Sequence, residues 1–471
     1  MDNKKTSRRK FLKDSAVAAT GVTMGIQAFA APVIKPVLGA NDKIRMGFIG
    51  VGNRGWKLMR SFMSHDHVEV VALCDVYEPY LHRDKSKVDN RWMKELGGKI
   101  PPMGENEMFK GKVDRYKDFR ELLDRKDIDA VCIATPDHWH AVQTIMACQA
   151  GKDVYVEKPL SITIHEGRRM VQVAKETGRI VQVGINRRGT SIYQQAVKLI
   201  RGGEIGQVSV ARAYRINNMY PDGIGNAKPE DPPKGFDWDM WLGPRPYRPY
   251  QYNIAPYKFR WWKSYSSQNG NWGVHYIDAM RWLMEEEAPI AITAHSTKAI
   301  LKDDRTIPDT SEITFELASG AIIVFGMYEA CGGEMINDGE IELRGTNGNL
   351  IIDESQFKII RPRYYGQFQQ QRSAGEPVIK SREKPEKNLR NTPTEGAANL
   401  IENFLDCVKS RKQPLCDLET GHRSNSFSLL ANISEEVGTR IEWDPENERV
   451  TNNDDANKLL HYEYRKPWKL G

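Results

Sequence analysis

The chain has 471 residues, 40% of them hydrophobic and 28% charged, a composition that excludes a disordered or fibrous protein and leaves room for two or three globular domains. Its formal charge is +6, of which Lys4, Lys5, Arg8, Arg9, Lys10 and Lys13 against Asp2 and Asp14 carry +4 within residues 1–30; the near-neutral remainder gives no electrostatic case for nucleic acid. Six scattered cysteines (Cys74, Cys132, Cys148, Cys331, Cys407 and Cys416), with no CxxC pair, point neither to zinc nor to a disulfide framework.

The N-terminus carries Ser7-Arg8-Arg9-Lys10-Phe11-Leu12-Lys13, a twin-arginine pattern, and then a mildly apolar run from Ala16 to Ala31 broken by Gly21, Thr23, Gly25 and Gln27. Ala28-Phe29-Ala30 has the small-x-small form of a cleavage site. The run is too short and too polar to span a bilayer. Residues 1–30 are therefore expected to be a signal that exports an already folded protein to the periplasm, with no membrane span.

Residues 43–186 read as alternating strands and helices. Lys43 to Ile49 is a strand, Gly50-Val51-Gly52-Asn53-Arg54-Gly55 follows, and Trp56 to Ser64 suits a helix. This is G-x-G-x-x-G in the strand-to-helix setting that its chemistry needs. Gly50 permits the tight turn, Gly52 a close phosphate and Gly55 close helix–strand packing, and the helix amides point at the phosphate. A second strand from Val68 ends at Asp75, twenty-five positions after Gly50. An acid there suits ribose hydroxyls and repels a 2′-phosphate, so NAD is expected and NADP disfavoured.

Tyr80 to Lys94 looks helical, residues 97–111 are a Gly/Pro-rich insertion, and Phe119 to Arg125 is a short helix. Ile128 to Ala134 is a buried strand ending in Thr135-Pro136-Asp137-His138-Trp139-His140; Val142 to Ala150 is a helix stopped by Gly151. The strand 153–157 ends in Glu157-Lys158-Pro159, with Glu157 expected to orient Lys158. His165 to Thr177 is helical, and Arg179 to Gly184 is a strand leading to Asn186-Arg187-Arg188. The alternation argues for a doubly wound parallel sheet. Such sheets bind ligands at the carboxyl ends of their strands, where Lys158 stands.

After a helix from Ser191 to Arg201 and a strand from Gln207 to Arg215, residues 217–266 turn rich in Pro, Tyr and Trp. Aromatic loops of this kind can build carbohydrate sites, since rings face C–H groups and polar tips reach hydroxyls. Gly270 to Leu283 reads as a helix on which Asn271, His275 and Asp278 share one face. From Ile290 to Ile360 six strands separated by turns give a largely antiparallel sheet. Residues 366–394 are a polar arm, Thr394 to Lys409 and Ser424 to Val437 are helices expected to return to the first domain, and residues 441–471 are a tail.

These motifs, together with Trp241-Leu242-Gly243-Pro244, resemble the glucose–fructose oxidoreductase / inositol dehydrogenase / MocA family over about residues 43–440. The resemblance implies an α/β fold: an N-terminal Rossmann domain (43–186) and a C-terminal α/β domain (187–440) with an open, mostly antiparallel sheet that supports homodimers or homotetramers. It implies hydride transfer between a nicotinamide cofactor and a sugar, glycoside or polyol carbon. Carried onto this sequence, Thr135, Pro136, His138, His140, Glu157, Lys158 and Asn186 join the glycine loop and Asp75 as cofactor residues. Lys158 and His275 become the catalytic pair, with His275 as base and Lys158 as charged donor. Arg188, Tyr257, Arg260, Trp261 and Trp262 are substrate candidates beside Asn271 and His275.

The family helix often places an acid four residues before its histidine; here that residue is Asn271. Asparagine accepts a hydrogen bond but relays no proton, so Asp278 becomes the expected partner of the imidazole. Export favours a redox cycle balanced inside the enzyme, because the periplasm supplies little soluble NAD. Three functions are therefore carried forward: an NAD-dependent sugar or glycoside dehydrogenase, for instance at C3; an NAD-dependent glycoside hydrolase working by oxidation, elimination and re-reduction; and a non-catalytic sugar- or nucleotide-binding protein.

Overall fold

The computed structural model describes residues 42–102, 109–333, 336, 338–361, 378–381 and 394–471. The signal segment, part of the 97–111 insertion and most of the 366–394 arm lie outside them. The first sheet has six strands: β1 (Ile44–Ile49), β2 (Val68–Cys74), β3 (Asp114–Tyr116), β4 (Ala130–Ile133), β5 (Asp153–Val156) and β6 (Val181–Val183). Their order is β3-β2-β1-β4-β5-β6, and all pairs are parallel. β4 and β5 are buried at every position, as expected for central parallel strands covered on both faces. The order reverses direction between β1 and β4, so a crevice opens beyond their carboxyl ends.

The second sheet comprises β7 (Val208–Ile216), β8 (Pro289–Thr297), β9 (Thr310–Leu317), β10 (Ile322–Tyr328), β11 (Ile341–Gly345), β12 (Gly348–Ile352), β13 (Gln356–Ile360), β14 (Val378–Ser381), β15 (Ile441–Asp444) and β16 (Arg449–Val450). Among the described residues only β7 and β10 pair in parallel; the other neighbours are antiparallel. β9 shows the reason for one-sided burial: Ser311, Ile313, Phe315 and Leu317 point into the core, while Thr310, Glu312, Thr314 and Glu316 alternate outward.

Five helices position the site: α1 (Asn53–Met63), α2 (Ile164–Thr177), α3 (Val274–Met284), α4 (Glu395–Ser410) and α5 (Leu418–Val437). α3 packs on the inner face of the second sheet, where Tyr276 stacks against Phe325 at 5.7 Å. α4 crosses back to the first domain, as expected: Phe404 meets Phe62 at 6.1 Å and Tyr155 at 5.9 Å, edge to face. No helix among the described residues is long and apolar enough to cross a membrane.

Two expectations are corrected. The stretch Tyr80–Lys94 is not one helix. Asp84 folds its carboxylate onto the Ser86 amide, and Asp89 caps a new start by accepting from Arg91 and Trp92, so the helical pieces are Glu78–Leu81 and Asn90–Leu96. Residues 441–471 are also not a loose tail. β15 extends the second sheet beside β8, Tyr464 donates to Glu166 at 2.5 Å, and Trp468 packs edge-on against Trp139 at 4.7 Å. Phe404→Ala is expected to lower the free energy of unfolding by about 3–5 kcal/mol in urea denaturation, because it empties a fully buried position in the Phe62–Tyr155 cluster of the first domain.

Candidate active site

The glycine loop closes the crevice by contact. Gly50 has φ +82°, and a Cβ there would lie 2.8 Å from the Ala134 carbonyl carbon. A Cβ on Gly55 would lie 1.9 Å from the Gly50 oxygen. At Gly52 the same atom meets nothing nearer than the Tyr80 ring at 3.6 Å. Space is therefore open at the position where a pyrophosphate must approach. α1 begins there with no side-chain cap and no acid in its first turn, which leaves its amides free for an anion.

Asp75 accepts from the Val51 amide at 2.9 Å and the Tyr77 amide at 3.0 Å, and burial pushes its carboxyl up to about 6. Its remaining lone pairs face a cleft that Arg54, Thr135, Pro136, Tyr257 and Arg260 also line. These residues fit a dinucleotide whose ribose carries free hydroxyls.

Lys158 projects from the loop after β5. Its Nζ donates to the Asn271 carbonyl at 2.7 Å and to Asn271 Oδ1 at 2.8 Å. Asn271 sits in a π-helical turn, Asn269–Gly273, that precedes α3, and its Nδ2 donates to Gln268 at 3.2 Å. Burial pushes Lys158 down to about 8, against the pull of Glu157 and Asp137. His275 is buried near Lys158, Arg187 and Arg54; burial and those charges hold it well below the usual histidine range. Its Nδ1 has no hydrogen-bond partner among the described residues.

The oxidoreductase-family NAD-binding Rossmann model matches residues 44–185, and the family's C-terminal alpha/beta domain model matches residues 191–359 and 382–470. The chain belongs to the Gfo/Idh/MocA oxidoreductase family. A glycosyl hydrolase family 109 protein of Shewanella pealeana is 30% identical over 227 residues, covering 46% of this chain and 47% of that protein. An alpha-N-acetylgalactosaminidase of Shewanella oneidensis is 28% identical over 225 residues, 45% of this chain and 46% of the relative. The chain thus spans about half the length of these relatives. Levoglucosan dehydrogenase in complex with NADH shares the fold at a TM-score of 0.60 and 18% identity, over 85% of this chain and 99% of that one.

Within this Gfo/Idh/MocA member several expected partnerships are rearranged. Glu157 does not orient the lysine side chain; its Oε1 accepts from Arg54 Nε at 2.6 Å, and Arg54 reaches Asn186 at 3.4 Å. Asp278 does not orient His275. The buried Arg188 guanidinium forks onto it at 2.9–3.0 Å and Ser424 donates to it at 2.5 Å, which removes both Arg188 and Asp278 from the cleft.

His138 and His140 brace the cleft from behind. His138 Nε2 and Trp139 Nε1 share the Trp241 carbonyl at 2.9 and 3.0 Å, and burial pushes His138 down to about 3, so it donates as a neutral ring. His140 bridges the Pro159 and Thr135 carbonyls at 2.7 and 2.9 Å. Trp261 and Trp262 are loop-packing residues whose indoles donate to Glu329 and to the Asn253 carbonyl, both at 2.7 Å.

Two residues of the site were missed. Asp137, buried, accepts from Ser266, and burial raises its carboxyl while His140, Arg260 and Lys158 lower it. Its signal was its place inside Thr135–His140. Tyr80, beside Gly52, had no motif to reveal it. Asp278→Asn is expected to cost about 3–5 kcal/mol in urea denaturation, because it strands the Arg188 charge in the interior, while NAD affinity by calorimetry stays within twofold of wild type.

Proposed function

We propose that the chain is an NAD-dependent oxidoreductase acting on a hydroxyl of a sugar, glycoside or polyol. The observation that carries this reading is Lys158 Nζ, fixed by two Asn271 oxygens at the junction of the cofactor cleft and the second domain. A bound nicotinamide supplies a two-electron acceptor and donor. The glycine loop, Asp75, Thr135 and Pro136 would hold it.

The chain's own residues manage the proton. A lysine titrating near pH 8 can take a hydroxyl proton close to neutrality. His275 faces three cations and no carboxylate, so it stays a neutral hydrogen-bonding group beside the substrate. This reverses the roles expected from the sequence, and Asn271 supplies the reason. An aspartate at that position would hold the ammonium form by charge. Asparagine orients the lysine without that full charge.

Glycoside cleavage by transient oxidation, elimination and re-reduction is the second reading, favoured by the names of the two Shewanella relatives. A panel of aryl and alkyl glycosides separates the two. Keto-sugar with a rise in NADH supports the dehydrogenase, whereas aglycone release without net NADH supports the hydrolase. Neither product with any glycoside or free sugar overturns both. We also propose export through the twin-arginine segment. Pairing of copies through the outer sheet face, where Tyr214 stacks on Tyr328 at 6.1 Å and Ile322 is exposed, is likewise proposed.

Turnover should rise with pH and level off above about 8, as Lys158 loses its proton. Lys158→Ala should reduce turnover by about 10²–10⁴-fold with NAD still bound, and Asn271→Asp should move the rise to higher pH. Stopped-flow rates across pH 5–10 check all three.

A further inference from the structure

Beside Pro159, which follows the catalytic lysine, lies a cavity of about 710 Å³, within the roughly 300–1,000 Å³ of small-molecule sites. Neither Lys158 nor Asn271 lines it, but Pro159 and Gly270, their chain neighbours, do. Its floor is polar and connected. Asn269 Nδ2 donates to Asn432 at 3.0 Å and to Glu435 at 3.3 Å, and Asn432 Nδ2 donates to Ser267 Oγ at 2.9 Å. Ser267 Oγ also accepts from the Gly270 amide at 2.9 Å. One wall is apolar, with Ile162, Ile307 and Ile433.

The hydrogen-bond inventory defines what fits. Ser267 Oγ already accepts two bonds, so its own hydroxyl proton is left to donate. Thr306 Oγ1 accepts from the Lys263 amide at 2.7 Å and likewise keeps its proton. Burial raises the Glu435 carboxyl; as a carboxylate it has about four acceptor sites, of which Asn269 and Ser311 use two. Four of the charged side chains around the cavity are already committed. Lys263 pairs with Glu436 at 2.5 Å, and Lys298 donates to the carbonyls of Asp303 and Arg305 at 2.7 and 2.8 Å. Arg305 pairs with Asp303 and Glu329. Arg245 lies on the Tyr462 ring at 3.7 Å, and its buried Nε and Nη1 are donors with no hydrogen-bond partner among the described residues. The two left over, Arg245 and Glu435, are of opposite sign, so groups that both donate and accept, on an uncharged ring with an apolar face, match this lining.

We propose that the cavity is a second saccharide site, taking a neutral polyhydroxylated ring whose hydroxyls bond Ser267, Thr306 and Glu435 and whose C–H face rests on the isoleucine wall. Ser267 also holds the catalytic segment, through the Gly270 amide and through its own carbonyl, which accepts from the Asn271 amide at 2.8 Å. An occupant is thereby coupled to Lys158; this coupling, unlike the binding, rests on the function proposed above.

The test is calorimetric titration of the full NAD-loaded chain with methyl glucosides, methyl galactosides and a methyl N-acetylgalactosaminide. The expected result is two sites per chain in the wild type and one in Thr297→Trp, whose indole fills the cavity at a residue outside the catalytic machinery. Glu435→Gln, a milder change, should weaken the second site about tenfold, equivalent to about 1.4 kcal/mol. One site or none in the wild type overturns the proposal, as do two sites that persist unweakened in both variants. Two sites without redox turnover would overturn the proposed function and leave this site standing.

Discussion

The contact between Lys158 and Asn271 is the constraint around which the two domains are arranged. The lysine arrives on the loop after a central parallel strand, and the asparagine arrives on a π-helical turn of the second domain. Each alone is unremarkable: a cation at a strand exit, a polar residue at a helix start. Together they place an ammonium group where burial lowers its proton affinity, with two neutral oxygens to fix its direction. The rest of the site defends that geometry. His140 ties the Pro159 carbonyl, next to the lysine, to the Thr135 carbonyl beyond β4, and Ser267 pins the amides of Gly270 and Asn271.

The guanidinium groups around this site are each matched by a carboxylate of their own. Glu157 neutralises Arg54, Glu340 takes Arg187 at 2.5–2.7 Å, and Asp278 takes Arg188. With the carboxylates used in this way, His275 is left among cations without an acid. An imidazole in that setting has a strong reason not to gain a proton and no reason against hydrogen bonding.

Much of this was legible in the sequence where information is local. Gly50, Gly52 and Gly55 lie within six positions of one another, and their spacing forces a turn that only one backbone path satisfies. The two-residue alternation of β9 and the uninterrupted apolar runs of β4 and β5 likewise announced one-sided and two-sided burial. Partnerships across the chain were not legible. Lys158 and Asn271 are 113 residues apart, and Arg188 and Asp278 are 90 apart. Helical spacing alone put Asp278 on the face of His275, and nothing in that spacing shows that a distant guanidinium would claim the carboxylate. The aromatic loops misled for a related reason. A tryptophan indole donates equally well to a sugar or to a buried Glu329, and only packing decides which.

The return of α4 to the first domain has a topological consequence. Phe404 completes a cluster whose other members, Phe62 and Tyr155, were laid down more than 200 residues earlier in the chain. The cofactor half is therefore a discontinuous domain: the first to be synthesised and among the last to be finished. A fragment ending near residue 186 would display those rings to water, and an exchange of cofactor domains between relatives would have to carry residues 395–410 along with 43–186.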